Sequence, residues 1–298
     1  MKNHTQHGVK LSVLAVISAL VCTSCGEASS TAAAASTSNS GGSETKPVSA
    51  DIEVTEFTGD ENIDDIRIEH ISGSTYEGWM MLIHDPSDIT VEVNPNLASG
   101  GAAPDLDTYM KDFNAVAGIN AGGFIDVGGH GDGSQPQGIV IHKGQLVSGS
   151  LTEYSDIIGI DSDNKLVCAG ATAQDALSWG VQEAVTFGPI YINNYEDVFD
   201  YSTTNLAMLN PRTAIGQAGD GTFLLLVIDG RGPSSFGAEY GDVVKVFQAY
   251  DAINAANLDG GNSSAMMYNG EYVNNTVSMY GSRNLPTVFL VKEGEGNN

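Results

Sequence analysis

Phe223-Leu224-Leu225-Leu226-Val227-Ile228 is an unbroken apolar run of strand length, bounded by Asp220-Gly221 and Asp229-Gly230. A segment without polar alternation leaves no face for solvent, so it reads as a strand covered on both sides. A chain that contains one must build layers on either face of a sheet. Further strands follow from shorter apolar runs. Trp79 to His84 is halted by Asp85-Pro86, Ile89 to Val93 alternates, and Ala115 to Ile119 runs into Asn120. Gly138 to His142 and Gln145 to Val147, joined at Lys143-Gly144, predict a hairpin. Ile157 to Ile160 and Lys165 to Cys168 predict another. The clearest helix is Tyr240 to Tyr250, where Val243, Val244, Val246, Phe247 and Tyr250 form one stripe, and Ala173 to Trp179 is a second. The expected fold class is α+β: a strand-rich single domain with mixed sheets and a few packed helices.

That domain is expected over residues 51–298, because what precedes it is different in kind. Lys2 and Lys10 lead into an apolar stretch, Leu11 to Val21, too short to cross a bilayer as a helix. It ends in Cys22-Thr23-Ser24-Cys25-Gly26, which looks like a lipobox cleaved before Cys25, although Cys22 occupies the usual leucine position. Residues 1–24 therefore read as a signal peptide and Cys25 as the lipidation site, with simple secretion the alternative. Residues 25–50 are mostly Ser, Thr, Ala and Gly, a linker that cannot bury enough surface to offset its ordering entropy. The expected location is the outer face of a bacterial membrane. Cys168, in an apolar run, is expected to be a buried, inert thiol.

The formal charge of −25 argues against nucleic acid and anionic lipid as electrostatic partners. An anionic ligand would have to be met by individually placed cations. Four clusters could place them, each pairing glycine with reactive side chains at a strand end: Asn120 to Asp126, Pro211 to Gly216, Asp229 to Gly232, and Asn257 to Ser264. Each alone is ordinary turn chemistry. Together they predict one pocket assembled from strand termini.

The residues also carry a family resemblance. Ile119-Asn120-Ala121-Gly122-Gly123-Phe124, Thr186-Phe187-Gly188-Pro189, Arg212-Thr213-Ala214-Ile215-Gly216, Val227-Ile228-Asp229-Gly230-Arg231 and Asn257-Leu258-Asp259-Gly260-Gly261 occur in that order. In this the chain, from about Tyr76 to Val291, resembles the phosphodiester glycosidase family. Characterised members hydrolyse the bond between a sugar's anomeric carbon and a phosphodiester oxygen, the sugar being N-acetylglucosamine in the mammalian member. The resemblance implies an extracellular hydrolase acting on a sugar phosphodiester or a phosphate-containing glycopolymer. The chain departs from the family pattern where Ala121 is inserted, where Asn262 replaces a glycine, and where the late Arg-Pro is spread to Arg283-Asn284-Leu285-Pro286.

Such chemistry needs a cation on the phosphate and a carboxylate at the anomeric carbon; the phosphate monoester is a good leaving group and needs little protonation. Asp259 is assigned as the catalytic carboxylate and Asp229 as the second, a tight turn with an internal salt bridge being the other reading of Asp229-Gly230-Arg231. Arg212 is expected to grip phosphate, with Arg231 pairing Asp229. Asn120, Gly122, Gly123, Thr213, Gly260, Gly261, Ser263 and Ser264 complete the expected binding set. No cofactor is expected, and no zinc spacing is present. Asp161-Ser162-Asp163-Asn164 reads as a hairpin turn more than a calcium loop, while Asp126 and His130 are the residues that could serve a divalent cation such as calcium. His84 and His142, at strand ends, are expected to be noncatalytic. The alternative function is a noncatalytic carbohydrate-binding lipoprotein using the same pocket. Sugar identity, aglycone, stereochemical outcome and oligomeric state are not encoded in these motifs.

Overall fold

The computed structural model describes residues 52–57, 66–202, 209–276 and 282–292; the signal segment, Cys25 and the 25–50 linker lie outside the described residues. The chain runs through strands β1 (Glu53–Phe57), β2 (Ile66–Ser72), β3 (Glu77–Ile83) and β4 (Ile89–Val93), then helix α1 (Leu106–Asp112) and β5 (Ala115–Asn120). The middle supplies β6 (Val140–His142), β7 (Gln145–Ser148), β8 (Tyr154–Asp161), β9 (Leu166–Thr172), helix α2 (Ala173–Ser178) and β10 (Val181–Thr186). After β11 (Ile190–Asn193) and β12 (Glu196–Asp197) come β13 (Arg212–Ala218), β14 (Phe223–Ile228) and helix α3 (Tyr240–Ala249). The chain closes with β15 (Ala252–Asn257), β16 (Met266–Tyr268), β17 (Glu271–Tyr272) and β18 (Thr287–Lys292).

These strands form three sheets. Eight strands lie in the order β1-β2-β3-β14-β13-β15-β11-β12, five in the order β7-β6-β10-β8-β9, and five in the order β17-β16-β5-β18-β4. Every pairing between named strands is antiparallel, so the expected mixed sheets are corrected. With three short helices among the described residues, the architecture is mostly β, and the α+β expectation holds only loosely.

The six apolar residues of β14 explain the layering. It sits between β3 and β13. Phe223, Leu225 and Val227 point into the central core, where they meet Ile119 of β5, Ile158 of β8 and Phe289 of β18, so all three sheets share it. Leu224, Leu226 and Ile228 point the other way, against Val243, Val244 and Phe247 of α3. Each remaining sheet has its own helix cover, α1 on Val288 and Leu290 of β18, and α2 on Ile157 and Ala184. Helix α1 leaves little trace in the sequence because only Leu106, Tyr109 and Met110 mark its buried face; the Asp105 side chain caps it by accepting from the Thr108 N–H. The two expected hairpins are present, and Lys143 and Gly144 both adopt positive φ, as a tight primed turn requires. Cys168 is free and buried in the central core, and burial pushes its thiol up.

Candidate active site

The ends of β5, β13, β14 and β15 converge. Beyond β15 the backbone is held from three sides: Leu258 donates to the Thr213 carbonyl, Asp259 to that of Ala121, and Gly261 to that of Pro211. Gly261 accepts this fold with φ of 62°, a conformation suited to glycine. The inserted Ala121 is thus a backbone tie, buried and bonded both to Asp259 and to Thr287.

Asn120 completes the clamp. Its carboxamide nitrogen donates to the Asp259 carbonyl, and its oxygen accepts from the Thr213 hydroxyl (2.8 Å) and the Ala265 N–H (3.1 Å). At 1% exposure it holds the segment in place and does not open to a ligand. The expectation that Asn120 and Thr213 bind substrate is corrected: both are buried supports. Gly122 is likewise buried, its N–H on the Thr287 hydroxyl.

Above this clamp lies a cavity of about 310 Å³. Asp259, Gly260, Gly261, Asn262 and Ser263 form its floor, Gly123, Phe124, Asp126 and Gln137 one wall, and Phe187, Arg231 and Arg283 the rest. Three of the four clusters expected to build a pocket therefore do so. The Pro211–Gly216 cluster stands behind, supplying carbonyl acceptors to the floor.

Asp259 has most of its carboxyl environment made of protein while remaining partly exposed to the cavity. Burial pushes its pKa up to about 6, against the pull of a Ser263 hydrogen bond, the Gly260 N–H and the Arg283 charge. Asp126 goes the other way. Burial opposes ionisation there too, but the Gly131 N–H and the Arg283 guanidinium, 3.0 Å from its Oδ2, together hold it below the usual carboxylate range. Arg283 also donates to the Gly131 carbonyl and lies 5.1 Å from the centre of the Phe124 ring.

Arg231, expected to pair with Asp229, stands at the cavity instead. It lines the cavity and donates to two neutral oxygens, Asn262 Oδ1 (2.6 Å) and Asn210 Oδ1 (2.9 Å). Asn262 is therefore a built partner for the guanidinium, in the place where a family glycine was expected. Among the described residues no carboxylate pairs with Arg231, so its charge is available to the cavity. Arg212 is buried, its guanidinium 4.0 Å from the Tyr240 ring centre and its Nε on the Ala238 carbonyl. It does not line the cavity.

Asp229 is also displaced from the expected role. It is buried and does not line the cavity, and its carboxylate accepts from the Asn274 side chain and from both the backbone and the side chain of Asn275. Burial raises its pKa in spite of those bonds. No Asp229–Arg231 salt bridge forms; the carboxylate anchors the 274–275 segment. Ser264 is buried too, and its carbonyl rather than its hydroxyl is engaged, by Asn274. Of the expected set, Asp259, Ser263, Gly123, Gly260, Gly261 and Arg231 meet at the cavity.

Arg283, Gln137, Phe124 and Phe187 were missing from the sequence-based set. Arg283 had a signal, being one of only 12 Lys and Arg residues and lying in a shifted family motif. Gln137 had none. His142 pairs with the buried Glu183 at 2.9 Å, and His84 faces the Thr222 hydroxyl, both away from the cavity. Among the described residues, no three His, Cys, Asp or Glu side chains gather as a metal site.

Residues 113–292 match the family model for phosphodiester glycosidase. The chain is 31% identical over 171 residues to the SPbeta prophage-derived uncharacterized protein YomE of Bacillus subtilis, covering 56% of this chain and 26% of that one. It is 25% identical over 222 residues to the N-acetylglucosamine-1-phosphodiester alpha-N-acetylglucosaminidase of Mus musculus, covering 68% of this chain and 42% of that one. The matched region thus spans less than half the length of either relative. The solved catalytic domain of the zebrafish enzyme of the same name, auto-inhibited by its pro-peptide, shares the fold with a TM-score of 0.64 at 20% identity, over 82% of this chain and 89% of that one. The match of the family model over most of the folded region, with the five motifs in order, establishes that the chain belongs to the phosphodiester glycosidase family.

Proposed function

We propose that this chain hydrolyses sugar-1-phosphodiesters, N-acetylglucosamine-1-phosphodiesters being the first class to test. The observation that carries this reading is Asp259, a carboxyl poised near pH 6 on the floor of a cavity that two guanidinium groups, Arg231 and Arg283, also face. Guanidinium forks match phosphate oxygens and favour the charge that develops on the leaving group. In the proposed reaction the Asp259 carboxylate takes a proton from a water molecule. That water forms a bond to the anomeric carbon while the bond from this carbon to the phosphate oxygen breaks. The electron pair stays on the phosphate, giving a phosphomonoester, and the sugar leaves as a free hemiacetal. Ser263 orients the Asp259 carboxyl and Asp126 fixes the Arg283 guanidinium.

The leader and lipobox-like sequence support a place on the outer face of a bacterial membrane, tethered through Cys25, with phosphate-containing surface glycopolymers within reach. The test of function is release of sugar from UDP-N-acetylglucosamine and from a chromogenic N-acetylglucosamine-1-phosphodiester. Wild-type protein should turn over, and Asp259→Asn should lose on the order of 10² to 10⁴ in rate while staying folded. Undiminished activity in the folded variant would remove Asp259 from the reaction. Tight binding by wild-type protein without release of sugar would favour the noncatalytic binder.

A further inference from the structure

A cavity of about 530 Å³ lies apart from the Asp259 site and shares no lining residue with it. It opens at the β2–β3 turn, beside the start of β1 and the first turns of α3. Its lining follows from register. Glu53 pairs with Ser72 across β1 and β2, and Ser72 with Glu77 across β2 and β3, so three strands bring these residues into one row. Asp242 and Lys245 come from α3, one helical turn apart. Three carboxylates and one ammonium group thus line the cavity, which gives it a net negative wall. Glu77 pairs with His70 at 2.9 Å and Asp242 with Lys245 at 3.9 Å. Glu53 has no ion-pair partner among the described residues.

Tyr76 marks the cavity as a site. It is 4% exposed and packs into the core beneath α3, yet its hydroxyl has no hydrogen-bond partner among the described residues. The hydroxyl lies over Gly73 of the lining, where an added Cβ would fall 2.9 Å from its oxygen. Glycine at that place leaves the phenol open to the cavity. Burial and the Asp242 charge both push the Tyr76 pKa up, so the phenol keeps its proton and can only be strengthened as a donor. A position that needed volume alone would be served by phenylalanine, because a buried hydroxyl without a partner costs free energy.

We propose that this cavity is a second binding site, for an amino sugar that carries a free ammonium group. The ammonium group meets the carboxylates of Glu53, Glu77 and Asp242, and a neighbouring ring hydroxyl accepts from the Tyr76 O–H. One ligand satisfies both halves of the lining. The carboxylates call for a charged donor, while the phenol and the Lys245 ammonium call for an acceptor, and a hydroxyl beside an ammonium group supplies the two on one ring. A metal ion answers only the first demand, and among the described residues no three acidic side chains converge to hold one. A sugar acid answers only the second and meets like charge. An N-acetyl group removes the charge on which the carboxylates select. The volume is that of an ordinary small-molecule site. Because the site uses nothing from the Asp259 cavity, it is independent of the hydrolase reading.

The experiment is a ligand-observed NMR titration of the protein with glucosamine, N-acetylglucosamine and glucuronic acid, at low ionic strength and at a pH where the glucosamine amine is protonated. Glucosamine should bind saturably, about tenfold more tightly than either of the others. Tyr76→Phe should weaken glucosamine several-fold and leave Tm unchanged or raised, because the hydroxyl has no protein partner to lose. A tyrosine kept for structure alone would lower Tm on substitution and leave binding by the folded variant as it was. Glu53→Gln, at an exposed position, should weaken glucosamine about threefold and leave N-acetylglucosamine unchanged. Asp259→Asn should bind glucosamine as wild type does. Absence of saturable glucosamine binding overturns the proposal, as does binding that both Tyr76→Phe and Glu53→Gln leave intact. Equal affinity for glucosamine and N-acetylglucosamine overturns it too, since the carboxylates then select nothing. Loss of binding in Asp259→Asn would put the sugar in the first cavity and reject the second site. Release of sugar from a phosphodiester, measured separately, decides the hydrolase reading and leaves these outcomes untouched.

Discussion

Asp259 carries opposite demands. A carboxyl that burial has raised to about 6 is ready to accept a proton near neutrality, yet the burial that tunes it costs folding energy. Because the folded pKa lies above the unfolded value of 3.8, its favourable contribution is complete below about pH 4 and is lost as pH rises through about 6. Two consequences separate it from other carboxylates. Activity should climb with pH on a limb centred near 6 and level off above it, since only the ionised form is a base. Stability should respond in the reverse sense to Asp259→Asn, which removes an ionised group from a desolvated place. Urea melts at pH 8 should show the variant more stable by about 1 to 3 kcal/mol, with the gain shrinking towards pH 4. A constant difference across that range would mean that the carboxyl titrates as in solvent.

At the scale of elements, the site exists because strand ends from different sheets are stitched together. Asn120 ends β5 of one five-stranded sheet, while Thr213 belongs to β13 of the eight-stranded sheet and Asp259 follows β15 of that same sheet. One carboxamide joins them and also holds the Ala265 N–H ahead of β16. Asn120→Ala would leave a buried hydroxyl, N–H and carbonyl each short of a partner. It should lower stability by about 2 to 4 kcal/mol in a denaturant titration and loosen Asp259 enough to cut turnover. A loss under about 1 kcal/mol would show that water replaces the carboxamide. This stitching is also what a linear sequence does not spell out. The apolar runs located β14, β5 and α3 because burial leaves a periodic trace in the chain. Glycine clusters located the Asp259 floor because close approach and turns demand particular residues. Which arginine faces the cavity left no such trace. Arg212 and Arg231 both belong to glycine-containing clusters at strand ends, and only packing decides that one lies buried on Tyr240 while the other is held at the cavity by Asn262 and Asn210. Asp229 misleads for the same reason: its motif is that of a reactive loop, and its partners, Asn274 and Asn275, are more than forty residues away.

Across the whole molecule, charge acts on the fold and on the site with opposite sign. A chain with 37 acidic and 12 basic residues repels itself, and that repulsion is softened by salt because the Debye length falls from about 30 Å at 0.01 M to about 8 Å at physiological ionic strength. Raising sodium chloride over that interval should therefore raise Tm by a few degrees, and choline chloride should do the same if screening rather than bound sodium is responsible. The site responds differently. Under the proposed function its two arginines hold an anion inside a molecule whose overall field repels anions, so binding would depend on short-range contacts with Arg231 and Arg283. Salt weakens both the long-range repulsion and the short-range attraction, but a partly buried pair is screened much less than exposed charges. KM for a sugar-1-phosphodiester should therefore change by less than about threefold over the interval in which Tm rises. A KM that increases tenfold or more would show that the arginines meet the phosphate as solvent-exposed charges, and that the cavity over Asp259 stays open to water while substrate is bound.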